Sequence, residues 1–73
     1  MKYFKANFEN HENYKGIEIT AIEHGDGVIL VTEMKREDNH QRPDSIQYLV
    51  LCSLEKVLQD HVDEGATIVD IKL

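Results

Sequence analysis

The side chains of this sequence best suited to hold a transition metal are four histidines and one cysteine: His11, His24, His40, His61 and Cys52. They lie in separate stretches of the chain, and no two histidines have the spacing that would place them together on one helix face. Zinc sites are usually built from such a histidine pair or from several cysteines. The sequence therefore predicts no metal site and no bound cofactor.

A denser group of titratable residues follows at positions 60–64, Asp-His-Val-Asp-Glu. Carboxylates beside an imidazole are used in general acid–base catalysis, but Asp60 and Glu64 have the spacing of neighbours on the solvated side of a helix end. The chain's serines and its cysteine have no activating histidine nearby in sequence. A chain of 73 residues also offers little cleft in which carboxylate pKa values would shift. We therefore expect no enzymatic activity.

Gly25-Asp-Gly is a glycine-rich segment between two runs of β-type residues, at 17–22 and 28–32. A phosphate-binding loop needs a strand, several glycines and the start of a helix. Short turns that contain Asp-Gly instead join the strands of hairpins. The segment therefore predicts a β-hairpin and not a nucleotide site.

The hairpin has two candidate registers, which differ in the partner they give to Glu18. A turn at positions 26–27 sets Glu18 opposite Lys35, whereas a turn at positions 25–26 sets it opposite Glu33. Like charges directly opposite each other destabilise a strand pair. The sequence therefore favours the turn at 26–27.

Fourteen acidic against eight basic residues give the chain a formal net charge of −6 at pH 7. A nucleic-acid-binding surface needs a basic stripe to neutralise phosphates, and the clustered bases here are only Lys35 and Arg36. Such acidity serves either solubility or recognition of a basic partner. If it serves recognition, the predicted binding residues are acids along the hairpin and near its ends: Glu9, Glu12, Glu18, Glu23, Asp26, Glu37 and Asp38.

Cys52 is the only cysteine, so the chain forms no internal disulfide and suits a reducing compartment. Its apolar neighbours predict a buried, inert thiol. No apolar run reaches membrane-spanning length, and the first five residues alternate polar and apolar types instead of forming a secretory signal. We therefore expect a cytoplasmic protein that does not bind membranes.

Alternating residues at 2–9 predict a first strand with Phe4, Ala6 and Phe8 on one face. The hairpin adds two strands and completes a three-stranded meander. The polar segment 37–45 contains the only proline and has no apolar pattern, so we expect a surface loop there.

Residues 46–52 allow two interpretations: the first turns of a helix from about 45 to 63, or a buried strand before a shorter helix. Apolar residues on all sides of this stretch favour the strand, and the amphipathic residues that follow favour a helix from the N-cap Ser53 to Gly65. Residues 66–73 predict a last strand in either case. The inner side of the shorter helix would carry Leu54, Val57, Leu58 and either His61 or Val62.

These elements predict one α+β domain over residues 1–73. It is a small mixed, mostly antiparallel sheet of four or five strands that begins as a β-meander, with one helix packed on one face and a final C-terminal strand. A domain this short buries a thin core, so an oligomer interface or a partner is expected to add stability. The last strand, 67–73, would lie at a sheet edge and be paired or covered in a homodimer.

Three functions are compatible with these features. The favoured one is a protein-binding inhibitor or regulator that presents an acidic, strand-rich surface to a larger protein, such as a nucleic-acid-binding protein whose phosphate contacts it imitates. Some virus-encoded inhibitors act in this way, so a viral or mobile-element origin would fit. One alternative is a purely structural homo-oligomer. The other is a small-molecule-binding module whose pocket, shared between subunits, would be lined by Tyr3, Tyr14, Tyr48, His24 and the segment 37–45.

Overall fold

A computed structural model describes residues 1–9, 11–12, 14–35 and 41–73 of the chain, with the backbone alone for 35 and 41–44. The elements in chain order are β1 (Tyr3–Asn7), β2 (Ile17–His24), β3 (Gly27–Lys35), β4 (Gln41–Val50), α1 (Leu54–Asp63) and β5 (Thr67–Lys72). The five strands form one sheet in the order β4-β3-β2-β1-β5. The predicted α+β fold, with its meander, single helix and C-terminal strand, is confirmed.

Neighbouring strands are antiparallel at each of the four strand pairs. The strands on either side of α1, β4 and β5, run in the same direction, as expected for a strand–helix–strand unit. They lie at opposite edges of the sheet, however, so they do not pair with each other. The chain crosses the whole sheet between them, and α1 lies over β2 and β3 on the way.

The core lies between α1 and one face of the sheet. Strand alternation puts every second side chain on that face, and Phe4 and Ala6 of β1 are buried there together with Phe8, as predicted. The buried apolar residues are Phe4, Ala6, Phe8, Ile19, Ala21, Val28, Leu30, Leu54 and Val57. Cys52 is half-buried and packs against this cluster.

Helix α1 begins and ends where its sequence predicts. Ser53 is the N-cap, and its side chain accepts a hydrogen bond of 3.2 Å from the backbone N–H of Lys56. After the last turn, Gly65 adopts a φ of 101°, the left-handed conformation that ends many helices. None of the helical segments in the described part of the chain is long and apolar enough to cross a membrane.

His61, and not Val62, occupies the inner side of the last helical turns. Its Nδ1–H donates to the Val57 carbonyl at 2.8 Å, and its ring centroid lies 6.1 Å from that of Phe4. Val62 remains 42% exposed. The intrahelical hydrogen bond satisfies the polar edge of the imidazole and lets its carbon atoms contact the core.

The predicted hairpin register is wrong. The turn is Gly25-Asp26, with His24 opposite Gly27 and Glu18 opposite Glu33. Gly25 has a φ of 61°, and the φ of Asp26 is negative. This combination is typical of a type II′ turn, in which glycine is the first of the two central residues. The difference from the predicted register is two residues, so every side chain stays on its expected face.

Gly27 explains why this register wins over the charge argument. A Cβ at Gly27 would lie 2.4 Å from the carbonyl oxygen of Leu49 in β4, so β4 can take its place beside residue 27 of β3 only because that residue is a glycine. A cross-strand like-charge pair costs only about 0.2–1 kcal/mol. The clash that a side chain at position 27 would make with β4 costs more than the Glu18–Glu33 pair. Comparison of β2 and β3 alone cannot show this, because β4 is not part of that comparison.

The surface loop predicted over 37–45 is wrong for its second half. Residues 41–45 belong to β4, which is ten residues long and pairs with β3 from Gln41↔Lys35 onward. The pairing shifts register between Thr32 and Glu33, and this irregularity accommodates the segment that contains Pro43. The first part of the predicted loop, with Glu37 and Asp38, lies outside the described residues.

The Glu18–Glu33 pairing makes a stability prediction. Glu33→Lys replaces a like-charge cross-strand pair by an opposite-charge pair, so we expect the free energy of unfolding to rise by about 0.5 kcal/mol. Urea denaturation measures it. Glu55→Lys, the same charge change in the first turn of α1, is the control and should lower stability slightly, because acids there favour the helix dipole. A larger loss for Glu33→Lys than for Glu55→Lys would contradict the assigned register.

Candidate functional site

The two faces of the sheet differ in what covers them. On the face opposite α1, which we call the open face, the cross-strand register lines up six apolar side chains. We call this group the open-face patch: Ile22, Ile29, Val31, Ile46, Tyr48 and Val50. Its three β4 members are exposed by 67%, 48% and 59%, in chain order. Single exposed apolar residues are common, but a contiguous group marks an interaction site.

Tyr48 is the middle one of the three β4 residues in the open-face patch, and its hydroxyl is held by the hairpin turn. Its hydroxyl lies 3.0 Å from the carbonyl oxygen of His24 and 2.9 Å from Oδ1 of Asp26, and its single O–H is shared between these two acceptors. Its ring meets that of His24 edge-on at a centroid distance of 6.4 Å. Gly27 beneath has no side chain, and a Cβ there would lie 2.9 Å from Cζ of Tyr48. The ring is therefore fixed before any partner arrives.

A shallow cavity of about 570 Å³ opens beside Tyr48, lined by His24, Ile29, Ile46 and Gln47. Its walls are mainly apolar side chains, with the imidazole of His24 as a polar group. This composition suits an inserted apolar or aromatic side chain with a polar end.

The Tyr48–Asp26 contact has a consequence for titration. The hydrogen bond to the Asp26 carboxylate, then burial and the negative charge of that group, raise the pKa of Tyr48 above its ordinary value of 10.0. Because the raised pKa belongs to the folded state, the contribution of the contact to stability is complete below pH 10 and is lost as pH rises through the folded pKa. NMR titration of the tyrosine ring carbons should give a higher midpoint pH for Tyr48 in the folded protein than in the unfolded chain. The Asp26→Asn variant should have a lower Tyr48 midpoint than wild type, and an unchanged midpoint would contradict the contact.

The acidic residues predicted to bind a partner do not form one surface. Glu9 and Glu12 lie exposed between β1 and β2, and Glu18 lies in β2. Glu9 and Glu18 line the same small cavity of about 90 Å³. These three acids therefore gather near one end of the sheet, where Glu33 joins them opposite Glu18.

The other predicted acids lie at the far end of the hairpin. Glu23 is five residues from Glu18 along β2, about 17 Å at ~3.3 Å per residue, and its side chain belongs to the opposite face. Asp26 is in the turn and accepts the Tyr48 hydrogen bond. Glu37 and Asp38 lie outside the described residues. The structure thus divides the described acids between two ends and both faces of the sheet.

The residues predicted to line a small-molecule pocket are also separated. His24 and Tyr48 share the cavity on the open face. Tyr14 lines another cavity, of about 380 Å³, between the end of α1 and the sheet, together with Phe8 and His61. Tyr3 contacts neither cavity, and its hydroxyl donates to Oδ2 of Asp70 at 2.9 Å. Within one chain, these side chains do not form a single site.

Sequence reasoning missed the open-face patch. The signal was present in β4, where Ile46, Tyr48 and Val50 alternate with Gln47 and Leu49. The apolar run predicts a strand buried on both faces, but a strand at the edge of a sheet with one helix is covered on one face only. Ile22 of β2 and Ile29 and Val31 of β3 lie on the same face and complete the patch.

The described residues form a five-stranded antiparallel α+β fold in which α1 covers one sheet face and no described element covers the other. Among the described residues, no three His, Cys, Asp or Glu side chains are grouped so that they would hold a metal ion. No family model matches this chain, and no curated protein or solved structure is detectably similar to it. Function must therefore be argued from the open face itself.

Proposed function

We propose that this chain is a small acidic protein-binding module, an inhibitor or regulator that presents its open sheet face to a larger protein. The observation that carries the proposal is the open-face patch. A contiguous apolar centre with a charged rim is the usual anatomy of a protein interface. Here the rim includes Glu33 at one end and Asp26 at the other.

Tyr48 is the proposed anchor of the interface. Tyrosine is enriched among the residues that contribute most to binding, and these residues cluster near the interface centre. The two acceptors of its hydroxyl hold the ring in place, so little side-chain entropy is lost when a partner covers it. The cavity beside it would receive an apolar side chain of the partner.

The net charge of −6 indicates a basic partner. Long-range attraction raises the rate of association between oppositely charged surfaces, and salt screens it. A nucleic-acid-binding protein has such a basic surface, and covering it would inhibit that protein, which supports the regulatory role. The single cysteine, which is free, suits the cytoplasm as the working compartment.

The test compares two tyrosines of similar exposure. Tyr48 is 48% exposed on the open face, and Tyr14 is 42% exposed on the other side of the sheet. Tagged wild type, Tyr48→Ala and Tyr14→Ala are used to capture proteins from the native host, and captured proteins are quantified by mass spectrometry. The partner should be depleted at least tenfold by Tyr48→Ala, as for an interface anchor, and should remain with Tyr14→Ala. Circular dichroism and urea denaturation establish that each variant is folded.

The charge of the interface is tested on the captured partner. Glu33→Lys on the open face should slow association and reduce its dependence on salt, whereas Glu55→Lys on α1 should have a smaller effect. A partner with an acidic binding surface, or equal losses for Tyr48→Ala and Tyr14→Ala, would refute the proposed function.

A further inference from the structure

The two edges of the sheet differ in their protection against pairing with another strand. Edge strands expose unpaired backbone N–H and C=O groups, and proteins usually block them with bulges, charges or proline. Edge strand β5 has such features: its register with β1 shifts around Val69, and it carries Asp70 and Lys72. Residues 45–50 of edge strand β4, Ser-Ile-Gln-Tyr-Leu-Val, have no charge, no proline and a continuous register with β3.

We propose that residues 46–50 of β4 pair in antiparallel fashion with the same residues of a second copy of this chain. The two-fold axis passes between the Tyr48 residues of the two copies, perpendicular to the sheet. This register sets Ile46 opposite Val50 of the second copy on the open face, and Gln47 opposite Leu49 of the second copy on the other. In antiparallel strands, residues directly opposite each other have their side chains on the same face of the sheet. Each pair in a register centred on Tyr48 meets this condition.

Self-complementarity is the reason for choosing a second copy as the occupant. The pairing creates no like-charge contact, although each chain has a net charge of −6, because the segment itself is neutral. Pairing of β4 with β5 of another copy would be heterologous and open-ended, and the bulge and charges of β5 oppose it. The two-fold β4–β4 contact instead closes after two copies.

The proposed dimer would have one continuous ten-stranded sheet, from two sheets of five. A two-fold axis perpendicular to the sheet leaves both helices on the same side. The open-face patches of the two copies then join across the axis, with both Tyr48 rings at the centre. The inference does not rest on the proposed function, but it would double the surface available to a partner.

Salt distinguishes this contact from partner binding. Two chains of charge −6 repel each other at long range, so added salt should strengthen the dimer. Association with a basic partner should weaken under the same conditions. Because salt should strengthen the dimer and weaken partner binding, the dimer proposal and the proposed function can each fail independently.

The test is a charge exchange across the two-fold axis. Ile46→Lys/Val50→Lys and Ile46→Lys/Val50→Glu alter the same two exposed side chains. The first variant sets lysine opposite lysine twice, and the second sets lysine opposite glutamate twice. Sedimentation equilibrium over a wide concentration range should give a dimer for wild type. The dissociation constant should be roughly tenfold or more higher for the first variant than for the second, from two cross-strand pairs.

Val69→Lys at the β5 edge is the matched control, because Val69 is 57% exposed, close to the 59% of Val50. It should leave the dimer unchanged. A wild-type mass that stays at the 8.4 kDa of one chain would overturn the proposal. Loss of the dimer in Val69→Lys would also overturn the proposal. Equal weakening by the two double variants would overturn it as well, because it would mean that the dimer forms through the open faces and not through paired β4 strands. Circular dichroism establishes that each variant retains its fold.

Discussion

Gly27→Ala is expected to lower the free energy of unfolding by about 3 kcal/mol, the upper range for an added methyl group in a well-packed site. The new Cβ would lie 2.4 Å from the Leu49 carbonyl oxygen. That oxygen belongs to the backbone of β4 and cannot rotate away, so β3 and β4 must separate locally. Urea denaturation followed by circular dichroism measures the loss.

Gly25→Ala is the matched control in the same turn. Gly25 has a φ of 61°, but its nearest contact would be the Tyr48 hydroxyl oxygen at 3.5 Å, an ordinary distance. The cost there is backbone strain of about 1–2 kcal/mol. If Gly25→Ala were the more destabilising variant, the close approach of β4 at Gly27 would be refuted.

Phe4→Ala is expected to unfold most of the protein at room temperature. Phe4 is completely buried and contacts the inner side of α1 through the ring of His61. Phenylalanine-to-alanine changes in cores cost about 3–5 kcal/mol. A domain this short has a total stability of about 3 kcal/mol, at the low end for folded proteins, so the substitution removes all of it. Circular dichroism and amide NMR spectra should show loss of cooperative structure.

Two further substitutions make that result specific. Phe4→Leu keeps most of the volume and should cost about 1.5 kcal/mol or less. Ile46→Ala removes an apolar side chain that is 67% exposed and should change stability by about 0.5 kcal/mol at most. A folded Phe4→Ala variant as stable as Ile46→Ala would mean that α1 and β1 do not share the core described here.

Local features of the sequence were sufficient for much of the fold. The N-cap Ser53 and the left-handed Gly65 determine the bounds of α1, because both act within one helical turn. The alternation in β1 determines which side chains face the core, because strand geometry repeats every two residues. Positions 46–50 form the strand that their apolar pattern predicts.

The register of the hairpin and the true start of β4 were not predictable in this way. Glu18 lies opposite Glu33 because Gly27 is needed where the Leu49 backbone passes. That contact joins residues far apart in sequence, and a pairwise charge argument contains no information about a third strand. Residues 41–45 form a strand through pairing with β3, although their composition is typical of a loop.

The candidate site depends both on local sequence patterns and on the tertiary arrangement of the strands. The net charge, the pattern of apolar residues in each strand and the conformations at the ends of α1 can all be read from the sequence, since each depends on neighbours along the chain. Which strands are neighbours follows from the fold. The strand order brings six apolar side chains together on a face that no described element covers, and it separates the predicted acids. The order of strands in a sheet depends on packing of the whole chain, because α1 covers one face and β4 is left at an edge.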